Sequence, residues 1–307
     1  MDKYIFTNSE GSNISYLKWG SNKKPKGIIQ LVHGMSEYIQ RYDYFAQKLV
    51  ADGYLVYGHN HCGHGDSSES IDKLGDIEGE NKFYTMLEDI KVLNSIIKKE
   101  NEGMPIILFG HSMGSFLSQR YIQEYGETID GLILSGSNGK PKLFTKAGVL
   151  VCKFEMMLKG KGNRSKLMDK LSFGGFNSSV KSPNTDFDWL CSDDKEVNKY
   201  IEDDFCGFIY TTEFYLDLIN GLWDIYKQEN LDKIKKFNIP IFIFSGDRDP
   251  VGYMGKGIID LYNTYNRIGV KEVNYKLYKG YRHEMLNEFN KDEVISDIIS
   301  WVNKCDF

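Results

Sequence analysis

Residues 105–125 read PIILFGHSMGSFLSQRYIQEY, and this stretch decides the fold. The apolar run 105–109 predicts a buried strand, and residues 115–125 have a helical pattern. Between them, residues 110–114 form the pattern Gly-x-Ser-x-Gly. A sharp strand-to-helix turn of this kind lifts the hydroxyl of Ser112 clear of the backbone, and its glycines let the strand and the helix approach each other. Alone the pattern is weak, since a chain of this composition gives roughly 0.2 matches by chance.

Short apolar runs alternate with helical patterns along most of the chain. The predicted strands are 14–19, 28–32, 54–57, 106–109, 132–134, 241–244 and 273–277, and the predicted helices include 42–51, 83–99, 257–266 and 292–303. This alternation predicts an α/β fold, in which helices flank a mostly parallel central sheet. A turn with the Gly-x-Ser-x-Gly pattern at a strand end is typical of the α/β-hydrolase fold.

The alternation stops between residues 138 and 229, where aromatic clusters alternate with polar turns and no strand is evident. We therefore predict a helical cap over residues 138–229, inserted after the strand near 132–134, and a core made of residues 1–137 and 230–307. The cap is expected over the carboxyl edge of the sheet, where α/β folds bind ligands.

Composition excludes several functional classes. The chain has 307 residues and a net charge of −5, so it offers no broad basic field for a nucleic acid. Its five cysteines form no CxxC pair, which predicts reduced thiols in a cytoplasmic protein. Its first residues contain no apolar core, which predicts no secretory signal. No apolar stretch is long enough to span a bilayer, although surface contact with lipid stays open.

A nucleophilic serine requires a base and an acid. In this fold they follow the serine in the order acid, then histidine, and His283 is the only histidine after Ser112. The acid is expected in the turn after the strand 241–244, where both Asp247 and Asp249 qualify. The spacing from Gly246 favours Asp249, and Asp247 is then a turn residue.

An oxyanion hole needs two main-chain donors. One is expected at the residue after the nucleophile, Met113, and the other in the loop after the strand 28–32. His33-Gly34-Met35 stands at that place, and the N–H of Met35 is the natural donor. Removal of one such donor typically costs about 2.7–4 kcal/mol of transition-state stabilisation.

Together these motifs resemble those of the monoglyceride lipase and lysophospholipase group of serine hydrolases. The matching segments span nearly the whole chain, in the right order: HGMSEYIQRY (33–42), GHGDS (63–67), GHSMGS (110–115), SGDRDPVG (245–252) and YRHEMLNE (281–288). The cap segments DWLCSDDKEVNKY (188–200) and DDFCGF (203–208) are similar to those of bacterial lysophospholipase-like members.

The resemblance implies that Glu37, Arg41 and His111 line the polar end of the site and meet a glycerol-like head group. From the residues alone, Glu37 and Arg41 are equally well explained as an ion pair four residues apart. The chain departs from the family at residues 59–62, where His59-Asn60-His61-Cys62 replaces the usual charged residues. A turn explains the histidines there better than a metal site, since serine hydrolysis needs no metal.

The sequence therefore predicts a serine carboxylic-ester hydrolase that needs no cofactor or metal and releases a fatty acid from monoacylglycerol or lysophospholipid through an acyl-enzyme. A thioesterase, an acyltransferase or a proline-type aminopeptidase with the same triad stays open, as does a non-catalytic binding protein on this fold. Ser112 argues against dehalogenases and epoxide hydrolases, which use an aspartate nucleophile.

The cap is expected to bury the acyl chain, at about 0.8 kcal/mol for each CH₂ group removed from water. We expect only a few of its aromatic residues to face that chain and most to form the core of the cap: Phe205, Phe208, Tyr210, Phe214, Tyr215 and Trp223. The same cap is the predicted place of any transient membrane-surface contact. The sequence leaves open whether the protein is a monomer or a homodimer.

Overall fold

The central element of the protein, described here from a computed structural model covering residues 1–237 and 239–305, is an eight-stranded sheet with the order β1-β2-β4-β3-β5-β6-β7-β8. Its strands are Asp2–Thr7 (β1), Asn13–Trp19 (β2), Ile28–Val32 (β3), Leu55–His59 (β4), Ile106–His111 (β5), Gly131–Ser135 (β6), Ile241–Gly246 (β7) and Val273–Tyr278 (β8). The pairs β1–β2 and β2–β4 are antiparallel, and all other neighbours are parallel. The mostly parallel sheet is confirmed.

Strand β1 was not predicted. Five of its six residues are exposed, because it forms the edge of the sheet and pairs on one side with β2. An edge strand that buries almost nothing lacks the apolar alternation by which strands are recognised in a sequence.

Helices cover both faces of the sheet. Those of the core are Asp43–Ala51 (α1), Lys82–Glu100 (α2), Met113–Tyr125 (α3), Lys256–Arg267 (α9) and Lys291–Val302 (α10). Residues of α2, α3 and α9 pack with Ile106 and Leu108 of β5, whereas residues of α1 and α10 pack with Ile107 and Phe109. Successive residues of a strand point to opposite faces, so β5 is buried on both sides.

The segment 138–229 contains helices and no strand, apart from an isolated bridge between Arg164 and Thr211. Its helices are Thr145–Lys159 (α4), Lys166–Phe173 (α5), Asp194–Glu202 (α6) and Thr212–Ile225 (α7). A further helix, Gln228–Ile234 (α8), runs across the predicted boundary at residue 229. In the part of the chain that the structure describes, no helix combines the length and the apolarity that a membrane span requires.

The parallel strands end at one edge of the sheet, and the predicted site residues follow those ends directly. Met35 comes three residues after β3, Ser112 one residue after β5, Asp249 three residues after β7, and His283 five residues after β8. The topology therefore gathers residues that are up to 248 positions apart in the sequence at the edge where α/β folds bind ligands.

Candidate active site

Ser112 lies alone between strand β5, which ends at His111, and helix α3, which begins at Met113. Its backbone adopts φ 52° and ψ −120°, a conformation that residues other than glycine rarely occupy. A Cβ on Gly110 would lie 2.4 Å from the Gly114 carbonyl oxygen, and one on Gly114 would lie 2.2 Å from a backbone oxygen of β3. Both glycines thus permit a close approach of backbones, while Ser112 stays half-buried at the tip of the turn.

His283 and Asp249 form a buried hydrogen-bonded pair. The Nδ1 atom of His283 lies 3.0 Å from Oδ2 of Asp249, and both residues are almost wholly buried. Asp249 accepts two further hydrogen bonds, from the Ser245 hydroxyl at 2.6 Å and from the N–H of Val251 at 2.8 Å. These bonds hold the carboxylate in one orientation and leave Nε2 of His283 as the ring nitrogen that can act as a base.

The alternative acid, Asp247, is placed differently. It accepts a hydrogen bond from the N–H of Gly280 at 2.7 Å and so joins two turns of the backbone.

Burial raises the pKa of Asp249, but the charge and hydrogen bond of His283 outweigh burial, so the net pKa is lowered. Burial lowers the pKa of His283, and the charge of Asp249 again outweighs it, so the net pKa is raised above 6.5. The Asp249 carboxylate therefore stabilises the protonated form of the His283 ring.

Ser112 and His283 line one cavity of about 530 Å³, within the usual size range of small-molecule sites. Apart from Met35, its large apolar lining residues come from the inserted segment: Phe173, Phe187, Trp189, Leu190 and Phe208. Of the six cap aromatics singled out in the sequence, Phe208 lines this cavity, whereas Tyr210, Phe214 and Tyr215 are fully buried in packing. The ring of Trp189 lies 5.2 Å from that of His283, which places apolar surface directly beside the imidazole.

Two main-chain N–H groups are available next to Ser112. Met35 lines the cavity, and among residues 1–237 and 239–305 the structure records no hydrogen-bond acceptor for its N–H. Met113 is the first residue of α3, where a backbone N–H has no partner within the helix. Two such groups near one hydroxyl are what an oxyanion hole requires.

A buried charged cluster adjoins the serine. Arg41 donates to Glu37 at 2.6 Å and makes a bidentate pair with Glu284 at 2.7 and 2.8 Å. The other oxygen of Glu37 accepts from the N–H of Gly34 at 2.6 Å and from the Tyr42 hydroxyl at 2.8 Å. Each acid–base contact is thus direct and shielded from solvent, unlike an ordinary surface ion pair.

Burial favours a higher pKa for both carboxyls in this cluster, but the net shifts are opposite. At Glu284 the charge and hydrogen bonds of Arg41 outweigh burial and hold the pKa at about 2. At Glu37 burial prevails, and the pKa is raised. Glu37 and Glu284 line the main cavity, whereas Arg41 lines a neighbouring cavity of about 20 Å³ that shares Glu37, His111 and Glu284 with it. Glu37 and Arg41 do form an ion pair, but they lie outside any α-helix, and Arg41 also pairs with Glu284.

His111 is buried beside the serine turn and His283. Its ring lies 4.8 Å from that of His283, and its Nδ1 atom is 3.1 Å from the Ser135 hydroxyl. Burial, with a smaller contribution from His283, lowers the pKa of His111 to about 3, so the ring is neutral. Within the described residues no partner is recorded for Nε2, and the ring lines both cavities.

The remaining histidines form a buried, ring-packed group: His33, His59, His61 and His64. His33 Nε2 accepts from the N–H of His61 at 3.0 Å, and His64 Nδ1 contacts the Cys62 carbonyl at 2.9 Å. These rings therefore brace the turn that follows β4. In the part of the chain that the structure describes, no three histidine, cysteine or acidic side chains are arranged to hold a metal ion.

Comparison with known families now places the chain. Residues 23–290, which include the serine turn, the charged cluster and the His–Asp pair, match the family described as "Serine aminopeptidase, S33" (Hydrolase_4). The protein belongs to this family. It is a serine hydrolase with the α/β-hydrolase fold, as the sequence predicts.

Individual relatives agree with this placement. A solved carboxyl esterase from Bacillus coagulans in complex with glycerol is 31% identical, with a TM-score of 0.90, and the match covers 98% of this chain and 97% of that one. The monoacylglycerol lipase of Mycolicibacterium smegmatis is 26% identical over 98% of this chain and 96% of that protein. The human monoglyceride lipase is 24% identical over 97% and 89%, respectively.

Sequence reasoning missed two residues of the site. Glu284 directly follows His283, and its partner Arg41 lies 243 positions away, so the sequence contained the acid but no sign of the pair. Trp189 stands in a segment whose helical periodicity is weak. The resemblance included the segment 188–200 but gave no role to Trp189 itself.

Proposed function

We propose that the protein hydrolyses monoacylglycerols with medium or long acyl chains, and that Ser112, His283 and Asp249 form its catalytic triad. One observation carries the proposal. A single cavity holds Ser112 and His283, apolar side chains from residues 138–229, and a buried group of charged side chains. Such a cavity suits an ester with an acyl chain on one side and a small polar alcohol on the other.

In the proposed mechanism, His283 Nε2 takes the proton of Ser112 as Oγ attacks the ester carbonyl carbon. The N–H groups of Met35 and Met113 donate to the oxyanion. When the intermediate collapses, the carbon–oxygen bond to glycerol breaks and His283 returns the proton to the leaving oxygen. Water, deprotonated by His283, then attacks the acyl-enzyme, and the fatty acid and free Ser112 are released.

The charged cluster favours a neutral head group. The hydrogen bonds of Arg41 go to Glu37 and Glu284, so this buried cation is not available to a phosphate. A phosphate placed beside two carboxylates would be repelled, and desolvation strengthens such repulsion. Glycerol hydroxyls, in contrast, can donate to a carboxylate oxygen and to the free Nε2 of His111. This supports monoacylglycerol over lysophospholipid.

The relatives point in the same direction. Two of them are named for lipase activity on monoacylglycerols, and the similar Bacillus coagulans esterase was solved in complex with glycerol. With the charge argument, these names support glycerol as the alcohol. We also propose a cytoplasmic location, where buried thiols such as those of Cys62, Cys152 and Cys191 stay reduced.

We propose further that residues 138–229 act as a cap that touches an anionic lipid surface. Helices α4 and α5 and the turn before them expose large apolar side chains: Leu143, Phe144, Leu150, Phe154, Met157, Leu158, Leu167 and Leu171. Residues 140–170 contain nine basic and two acidic residues, a net charge of +7 in a chain whose total is −5. Exposed apolar residues among lysines are typical of surfaces that lie at a membrane interface.

Turnover of 1-monoacylglycerols of graded chain length, beside lysophosphatidylcholines of the same chain lengths, tests the substrate. We expect kcat/KM to rise with chain length and to be higher for the monoacylglycerol at each length. Ser112→Ala should abolish turnover and labelling by a fluorophosphonate. A flat profile with best activity on acetate esters would refute the lipase proposal. Faster cleavage of proline p-nitroanilide than of any ester would favour the aminopeptidase alternative.

Sedimentation with vesicles tests the surface. We expect Phe154→Ser to weaken binding to vesicles of phosphatidylcholine and phosphatidylglycerol. Phe289→Ser is the matched control. Phe289 is similarly exposed (69%, against 60% for Phe154), but it lies outside residues 138–229, just before α10. Equal binding of the two variants, or equal binding of the protein to neutral and anionic vesicles, would contradict this part of the proposal.

A further inference from the structure

Ser36 occupies a strained position next to the proposed oxyanion donor. Its φ of 55° lies in the left-handed region, which residues other than glycine seldom adopt. It is 8% exposed and directly follows Met35. Strain of this kind persists only where surrounding contacts impose it, and it gathers at functional sites.

The contacts that impose it come from the inserted segment rather than from the core. The N–H of Ser36 donates to the Tyr210 hydroxyl at 2.7 Å, and its own hydroxyl donates to the Phe208 carbonyl at 2.8 Å. Its carbonyl accepts from the Tyr200 hydroxyl and from the N–H of Gly207, both at 3.0 Å. All three polar groups of Ser36 are therefore bound to residues 200–210.

Met35 thus stands between two anchored peptide groups. On one side the N–H of Gly34 is held by Glu37, a residue of the core loop. On the other side the N–H of Ser36 is held by Tyr210. The N–H of Met35 between them has no recorded acceptor among the described residues. The direction of this N–H follows from the two neighbouring peptide planes, because the backbone turns only about its φ and ψ angles.

We propose that residues 200–210 position the oxyanion hole, with Ser36 and Tyr210 as positioning residues. The inserted segment then has a second role besides lining the cavity: it supplies one of the two anchors that aim the N–H of Met35. This inference rests on the proposed roles of Ser112 and Met35.

Tyr210 itself is rigidly held, as an anchor must be. It is fully buried, its ring stacks on that of Phe214 with 3.9 Å between centroids, and its hydroxyl also contacts Nε2 of His64. The Nδ1 atom of His64 is in turn bound to the Cys62 carbonyl. Burial lowers the pKa of His64 to about 4, so the ring is neutral and its Nε2 can accept a hydrogen bond from the Tyr210 hydroxyl. The hydroxyl oxygen is then left to accept from Ser36.

The test is Tyr210→Phe, which keeps the stacked ring and removes the hydroxyl. With p-nitrophenyl butyrate we expect kcat to fall about tenfold or more, the effect of a weakened oxyanion donor, while KM stays within about twofold. Binding of a trifluoromethyl ketone, whose adduct with serine carries an oxyanion, should weaken by the same factor. Binding of a non-reactive ether analogue should not change.

Tyr226→Phe is the matched control. Like that of Tyr210, its hydroxyl has two hydrogen-bond partners, here Gln119 Oε1 and the Asn138 carbonyl, but neither lies in the loop of Met35. A second variant, Ser36→Gly, tolerates the positive φ and loses only the bond to Phe208. We expect it to lower kcat severalfold at unchanged KM.

Three outcomes would overturn the inference. In the first, Tyr210→Phe matches Tyr226→Phe in kcat and in affinity for the ketone, or changes KM alone. In the second, Tyr210→Phe does not fold and Ser36→Gly keeps the kcat of the wild type. In the third, the wild type does not cleave the ester or Ser112→Ala still does, and the proposed function fails together with the inference. If the wild type is active and Ser112→Ala is not, the first two outcomes refute the positioning role alone.

Discussion

Replacement of Asp249 by asparagine tests the proposed acid most directly. The carboxylate accepts from the N–H of Val251 at Oδ1 and from Ser245 and His283 at Oδ2. The backbone N–H of Val251 cannot turn away, so the amide oxygen of the introduced asparagine must take the place of Oδ1. The NH₂ group then faces Nδ1 of His283, which must accept a hydrogen bond and carry its proton on Nε2. In that tautomer the ring cannot take the proton of Ser112.

The expected loss is large. A wrong tautomer in a Ser-His-Asp triad typically lowers kcat about 10⁴-fold, which corresponds to about 5.5 kcal/mol of transition-state stabilisation. The pH profile should change as well. The pKa of His283 is raised above 6.5 by Asp249, and only the neutral ring is a base, so the activity of the wild type should fall as the pH drops through that raised pKa. In Asp249→Asn the acid limb should move to lower pH.

The assay is hydrolysis of p-nitrophenyl butyrate between pH 5 and pH 9, with thermal unfolding to confirm that each variant is folded. Asp247→Asn is the matched control, since Asp247 lies two residues away and holds the N–H of Gly280 rather than the histidine. Its kcat should stay within about threefold of the wild type, as for a residue that only stabilises a turn. A folded Asp249→Asn with kcat within tenfold of the wild type, or a greater loss in Asp247→Asn, would refute the assignment.

Three further predictions concern stability. Burial raises the pKa of Asp89 from 3.8 to about 7, so the folded protein keeps a proton that the unfolded chain releases, and stability falls as the pH rises through this window. Asp89→Asn should raise the free energy of unfolding in urea by about 2–4 kcal/mol at pH 8 and by much less at pH 4; equal gains at both would contradict this. Gly114→Ala should lower the melting temperature strongly, because its Cβ would meet the Val32 carbonyl oxygen at 2.2 Å, whereas Gly162→Ala, with nothing within 4 Å, should leave it almost unchanged. Glu284→Gln should cost about 3 kcal/mol in urea unfolding at pH 7, since it leaves a buried arginine with one carboxylate; a change below about 1 kcal/mol would show that the pair contributes little.

Much of the fold was readable from local patterns. The buried stripe of α2, formed by Met86, Ile90, Leu93 and Ile97, is wholly inaccessible to solvent, as its spacing predicts. Strand β1 escaped prediction because an exposed edge has no apolar pattern to detect. The inner strands were easier to predict. A strand such as β5 is buried on both faces and therefore needs a continuous apolar run.

The site residues were also predictable only where local patterns indicated them. The sequence placed Ser112 at the turn and singled out His283 by order along the chain, and the structure brings both to one cavity. It preferred Asp249 to Asp247 by spacing, and only the packed structure shows which of the two touches the histidine. For Glu37 and Arg41 the residues left a helical ion pair and a head-group contact equally possible. The structure adds the third member, Glu284, which no spacing argument could supply.

By itself the sequence determined the strand-turn-helix around Ser112, the alternation that builds the sheet, and the order of the residues proposed to act on the serine. These features depend on neighbours in the chain, through the periods of strand and helix and the small size of glycine. Tertiary structure alone decided which side chains of residues 138–229 face the cavity, how Arg41 pairs with the distant Glu284 as well as with Glu37, and how residues 200–210 hold the loop of Met35. Such contacts join residues up to 243 positions apart, and they form only when separate elements pack against each other.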